Sequence, residues 1–373
     1  MTPESRAVYP AVPDLAVPDI PVPDLWVAGP ARHGVVRYAL DLARTAGESG
    51  ADPALIDAET ALRPGRPTHL HFTDGLFGRS PELAADTIER LASIVPLSIT
   101  LHDVPQSSDG AANLPRRIDC YRRVAGLATG VVCNSAHELA FLEESGVAPG
   151  GRVTGRASRR RGVAVIPLGA ESPRSARRVG GDSTGTSPGG ASSTDLDPIV
   201  ALIGFVYPGK GHREVIDAVA RVRDGGRIAV EVVAFGAASA GHEADLEALV
   251  DHAERAGVVF GSTGYLDDDE LLRRCSRAAV PIAAHQHISA SGSILTWLAA
   301  GRRPLVLDSR YAREMAALRP QTMTLYSPDG MDDVIAAALA DPTSTRLAPT
   351  TSTAPHLVDT YAAYARWWRE LTA

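Results

Sequence analysis

Cysteine is scarce in this chain. Its 373 residues include three, Cys120, Cys133 and Cys275, which lie far apart and form no C-x-x-C pair. That spacing indicates neither a disulfide framework nor a thiol-ligated zinc site, and a reducing compartment is the simpler expectation. Long apolar runs are missing too. No stretch approaches the roughly 18 uncharged residues of a membrane-crossing helix. The N-terminus lacks the basic start and apolar run of an export signal. We therefore expect a cytoplasmic protein that can still meet a membrane peripherally. A basic excess is also absent: 37 Lys+Arg against 44 Asp+Glu leave a net charge of −7, so nucleic acid is not an expected partner. The dinucleotide fingerprint G-x-G-x-x-G does not occur after the first strand; that loop reads Gly29-Pro30-Ala31-Arg32-His33-Gly34-Val35.

What is present alternates. Short apolar runs at Leu25–Ala28, Thr68–Phe72, Leu97–Leu101, Gly130–Cys133 and Val163–Leu168 read as strands. Between them, Val35–Thr45, Pro81–Ile94, Arg116–Ala128 and Ala136–Glu144 read as helices. Such βα alternation predicts a parallel sheet. A second series places strands at Ile199–Phe205, Ile228–Phe235, Val258–Phe260, Ala279–Ala283 and Pro304–Leu307. The length suits two domains, each with its own core. Before the first series, Val-Pro-Asp recurs at Val12, Val17 and Val22. Proline fixes φ and removes a donor, so residues 1–24 read as an extended, disordered tail. Between the series, 172–197 is rich in Gly, Ser, Thr and Arg and reads as a flexible linker. The expected organisation is then a first domain over 25–171, a second over 198–345, and a closing segment, 346–373, whose helix packs back on the body. On that helix Tyr361, Tyr364 and Trp368 share one face.

Several loops have the makings of sites. Ile203-Gly204-Phe205-Val206-Tyr207-Pro208-Gly209-Lys210-Gly211-His212 joins a strand to a helix. A glycine-rich turn lets N–H groups approach an anion, the helix start favours negative charge, and Lys210 adds a cation. The segment nearly spells a P-loop, but Gly211 stands where the Mg²⁺-holding hydroxyl belongs, which weighs against an ATPase or kinase. A second loop, Ile288-Ser289-Ala290-Ser291-Gly292-Ser293, opens another helix with small and hydroxyl-bearing residues. His102, just after a strand, is a candidate for holding or moving a proton. His69 and His71 share a strand face, where packing outweighs a metal site. The arginines 152, 156, 159, 160 and 161 read as a solvated basic loop, and Asp267–Glu270 as an acidic helix start.

These segments together resemble glycosyltransferase family 4, retaining enzymes of the GT-B fold. Gly204–His212 resembles that family's donor-phosphate loop. Val131–Ser135 followed by Val165–Gly169 matches the end of its N-terminal domain. Gly264-Tyr265-Leu266 is similar to the segment bordering the nucleotide base, and Ser291–Ser293 with Leu298–Pro304 to its sugar- and phosphate-binding helix. The resemblance implies an α/β GT-B protein, two Rossmann-like parallel-sheet domains facing across a cleft, that moves a hexose from a nucleotide-sugar donor to an unidentified acceptor with retention. It implies no metal or other cofactor, the nucleotide-diphosphate sugar being substrate. Lys210 would neutralise the leaving pyrophosphate, Gly292 and Ser293 would donate N–H bonds to it, and His102 would sit near the reacting sugar. Gly34, Gly204, Gly236, Tyr265, Leu266, Ser291 and Thr296 complete the implied donor-binding set. Three positions depart from the pattern: Phe205 replaces an arginine, and Ile288 and Thr296 fall where two glutamates stand. His285, His287 or Ser289 are the candidates to substitute. A catalytically idle GT-B binding module and a GT-B nucleotide-sugar epimerase are the alternatives.

Overall fold

A computed structural model describes residues 22–147, 163–171, 196–224 and 230–372. The first two Val-Pro-Asp repeats, the arginines of 152–161 and most of the 172–197 linker lie outside the described residues. The chain forms two compact units. One comprises residues up to Gly169 together with Pro355–Ala373, and the other Ala170–Ala354.

In the first unit β1 (Asp24–Trp26), β2 (Leu55–Ile56), β3 (Thr68–Phe72), β4 (Leu97–Leu101), β5 (Gly130–Cys133) and β6 (Val163–Val165) form a parallel sheet in the order β2-β1-β3-β4-β5-β6. The helices follow local signals. Helix Pro81–Ile94 opens on a Ser80 cap and a proline in its first turn. It buries Ala84, Ala85, Ile88 and Leu91, a stripe at helical spacing. Two expectations need correction. Order begins before Leu25: Val22 and Asp24 are buried, and the Asp24 carboxylate is paired with Arg63 and Arg66. The proline pattern hid a strand that these arginines neutralise. Helix Gly110–Leu127 also starts six residues before Arg116 and carries Pro115 inside it, forgoing one backbone bond.

The second unit holds β7 (Asp197–Ile203), β8 (Glu231–Phe235), β9 (Val259–Ser262), β10 (Ala278–Ala283), β11 (Leu305–Leu307) and β12 (Thr324–Tyr326). All neighbours are parallel, in the order β12-β11-β10-β7-β8-β9. Each sheet has its own apolar core. Leu70, Ile88, Leu97 and Ile99 lie in the first, and Val200, Val215, Val232 and Val280 in the second. The last helix, Leu357–Thr372, belongs to the first unit. Its Tyr361, Tyr364 and Trp368 are buried with Val22, Leu25 and Leu42. No helix among the described residues is long and apolar enough to cross a membrane. The three cysteines are free and buried.

Candidate functional site: a buried lysine where the second sheet reverses

The strand order of the second sheet reverses between β7 and β10. In open α/β sheets the carboxyl ends of such a pair bound the ligand crevice. The Gly204–Gly211 loop leaves β7 and the segment from Ala284 leaves β10, so the two anion-suited loops of the sequence start from this pair. Three glycines let the strand ends close. Gly204 has φ +108°, and a Cβ there would lie 3.1 Å from Nζ of Lys210. Gly211, at φ +94°, sits against Ala284, whose carbonyl oxygen a Cβ would meet at 2.3 Å. At Gly236, after β8, a Cβ would lie 2.1 Å from the Gly204 carbonyl oxygen. The Gln286 N–H donates to the Gly209 carbonyl (3.0 Å) and ties one loop to the other.

Lys210 is therefore buried, only 7% exposed. Among the described residues no carboxylate pairs with it. Its ammonium contacts Nε2 of His285 and lies 5.9 Å from the Tyr207 ring centre. Burial without a counter-charge pulls its pKa down to about 7. His212 begins the helix His212–Asp224 and is also buried. Burial first, then Lys210, lowers its pKa to about 3. Both ring nitrogens of His212 and Nδ1 of His285 are buried without a hydrogen-bond partner. In the sequence His212 entered only as the end of the glycine loop, with no role of its own, and His285 only as one of three substitutes. The local signal was its place directly after the apolar run that forms β10.

The serine loop is built for the same end of the sheet. Ser291 caps helix Gly292–Ala299 by accepting from the Ile294 N–H (3.3 Å). Its own N–H donates to the Tyr311 hydroxyl (3.1 Å), and its Oγ meets Ser293 Oγ at 3.0 Å. A Cβ at Gly292 would meet nothing within 4 Å, so space over this helix start is open. Thr296 is turned to its own helix: its hydroxyl donates to the Gly292 carbonyl (3.0 Å). Tyr265 is exposed, while Leu266 packs partly against the cluster of Phe235 and Trp297. Phe205 is exposed as well.

His102 lies in the first unit, just beyond β4. Asp103 follows in the left-handed region (φ 48°), and Arg117 holds it by its carbonyl (2.6 Å) and carboxylate (3.0 Å). His102 is buried and uses both ring nitrogens: Nε2 meets His71 Nδ1 at 3.0 Å, and Nδ1 meets Asn134 Nδ2 at 3.3 Å. Burial, and then His33, lowers its pKa to about 3, so it is neutral at pH 7 and does not titrate near neutrality as its residue type alone suggests. His69 is buried alongside and bonded to Ser98 (2.9 Å) and Thr100 (3.0 Å). Thr100 in turn meets the Tyr364 hydroxyl at 2.8 Å. No group of three metal-ligating side chains occurs among the described residues. Gly34 opens helix Gly34–Glu48, capped by His33, with nothing within 4 Å of an added Cβ.

No family model matches this chain, and no curated protein matches it. Solved structures do share its architecture. HepE from Anabaena, in complex with UDP and glucose, superposes with a TM-score of 0.57 at 14% identity, over 92% of this chain and 94% of that one. A UDP-forming α,α-trehalose-phosphate synthase from Burkholderia vietnamiensis gives 0.55 at 16% identity, over 91% and 78%. Sucrose-phosphate synthase from Thermosynechococcus elongatus gives 0.54 at 16%, over 82% and 70%. The fold is GT-B. At such identities the likeness concerns the fold alone.

Proposed function

We propose that the protein is a nucleotide-sugar glycosyltransferase of the retaining family 4 type, moving a hexose from a nucleoside-diphosphate donor to an acceptor. The observation that carries this reading is Lys210: a buried cation without a carboxylate, on a glycine loop at the reversal point of a doubly wound sheet. Burying an unpaired charge is costly, and the cost is recovered when an anion arrives. When the bond to the sugar breaks, negative charge grows on the diphosphate. Lys210 and the N–H groups of Gly292 and Ser293 stabilise that charge without reorganisation, so they act on the transition state more than on the bound donor. His102 stays neutral with both ring nitrogens taken by His71 and Asn134, so it transfers no proton and acts only by shaping the end of β4. Tyr265 and Leu266 border the base, Gly34, Gly204 and Gly236 give backbone access, and Ser291 and Thr296 hold the loop and the ribose side. In structures of this fold, HepE is bound to UDP and glucose, which agrees with a donor of this class.

A second reading, an idle GT-B binding module, is favoured by one observation. Ile288 cannot accept from sugar hydroxyls, and the Thr296 hydroxyl is engaged by its own helix. Hydrolysis of UDP-, GDP- and ADP-glucose without acceptor separates the two. Release of glucose by the wild type, lost in Lys210→Ala, is the transferase outcome. Nucleotide binding with no hydrolysis, and no transfer in the presence of candidate acceptors, gives the module.

A further inference from the structure

His285 stands two residues beyond β10, with Nε2 against the Lys210 ammonium. In its ammonium form, the form an anion selects, Lys210 has donors only, so Nε2 is then the accepting nitrogen and carries no proton. The proton of the neutral ring then sits on Nδ1. That N–H is buried and meets no acceptor. The neighbouring His212, 2% exposed, leaves both of its ring nitrogens unpartnered as well. Glu214, the first acidic residue of the helix His212–Asp224, accepts from the Gln286 amide. Buried donors without acceptors, gathered around a lysine without a counter-charge, suit a ligand rich in acceptor oxygens and negative charge, that is, a phosphoryl group.

We propose that His285 is a further anion-binding residue of this site. Lys210 fixes its ring in the Nδ1–H form, and that N–H donates to an oxygen of the bound diphosphate. The assignment rests on the diphosphate reading given above, and goes beyond it by naming the group that shares the anion with Lys210.

Two near-isosteres separate the ring's two nitrogens. His285→Gln places an amide where Nε2 stands, keeping an acceptor for Lys210 and deleting the Nδ1 donor. His285→Asn does the reverse. Each full-length variant is titrated calorimetrically with inorganic pyrophosphate and with UDP, and melted without ligand. His285→Gln should weaken both ligands about tenfold, as expected for one lost hydrogen bond to a charged group. His285→Asn should recover affinity to within about threefold of wild type, with unliganded melting temperatures alike. Wild-type affinity in His285→Gln overturns the assignment, as does equal weakening in both variants, which would make the ring only a prop for Lys210. If pyrophosphate binds with the expected ordering but no nucleoside diphosphate does, His285 stands and the nucleotide-donor reading falls. If the wild type binds neither ligand, both fall.

Discussion

The carboxyl edges of the two sheets hold similar residues in opposite states. Beyond β4, His102, His71 and His69 form a buried, neutral network in which nearly every nitrogen is partnered by protein. Beyond β7 and β10, Lys210 and His212 are equally buried and His285 is half-buried with its Nδ1 enclosed, yet they carry a charge without a counter-charge and three unpartnered ring nitrogens. Burial is common to both edges; satisfaction is not. A largely satisfied polar network, with His71 Nε2 and Asn134 Oδ1 the exceptions, stabilises its own fold, whereas an unsatisfied basic one is complete only with a ligand. That contrast is why we propose the second edge as the anion site.

The comparison can be broken at several points. The largest effect is expected from Lys210→Ala, which should weaken a bound nucleoside diphosphate by about 100-fold, the scale of a truncated buried charge contact. Next come the glycines. Gly211→Ala drives a methyl into the Ala284 carbonyl, and such overpacking costs about 1–3 kcal/mol. Its melting temperature should fall and its nucleotide response weaken, because the two loops can no longer close. In the first unit, His69→Leu removes the ring that bonds Ser98, Thr100 and the Trp368 N–H. It should cost about 1–3 kcal/mol of stability while leaving UDP affinity unchanged. Loss of UDP binding there would erase the contrast between the edges.

The most diagnostic effect is in pH. Lys210 has a pKa of about 7 in the fold and about 10.4 in an unfolded chain. Between these values the unfolded chain binds more protons, so this lysine makes unliganded stability rise with pH across that window and adds no slope below it. Lys210→Met should abolish the slope and be the more stable protein at pH 7, measured by urea unfolding without nucleotide. The histidines of both edges act lower. His69, His102 and His212 are neutral in the fold down to about 3, so stability should fall as pH drops from about 6.5. That acid limb is shared; the alkaline slope belongs to Lys210.

Much of the fold was legible because helix and strand periods alternate cleanly, as in Pro81–Ile94 followed by Leu97–Leu101. β1 was half missed because Asp24 reads as part of a Pro-Asp repeat until its pairing with Arg63 and Arg66, about 40 residues away, is seen. The short β2 and β12 carry too few residues to show a period. The glycine loop was legible as an anion turn, since its function is local. The contact between Lys210 and His285 was not, being made by a parallel crossover that brings residues 75 apart in sequence together. The inward turn of His102 was equally hidden, because it depends on His71 from the adjacent strand.

The most direct test is a calorimetric titration of the wild type and Lys210→Ala with UDP, GDP and ADP. The account predicts that at least one nucleoside diphosphate binds the wild type and that its affinity drops by about 100-fold in the variant. Failure of all three to bind the wild type, or equal affinity in Lys210→Ala, would contradict it.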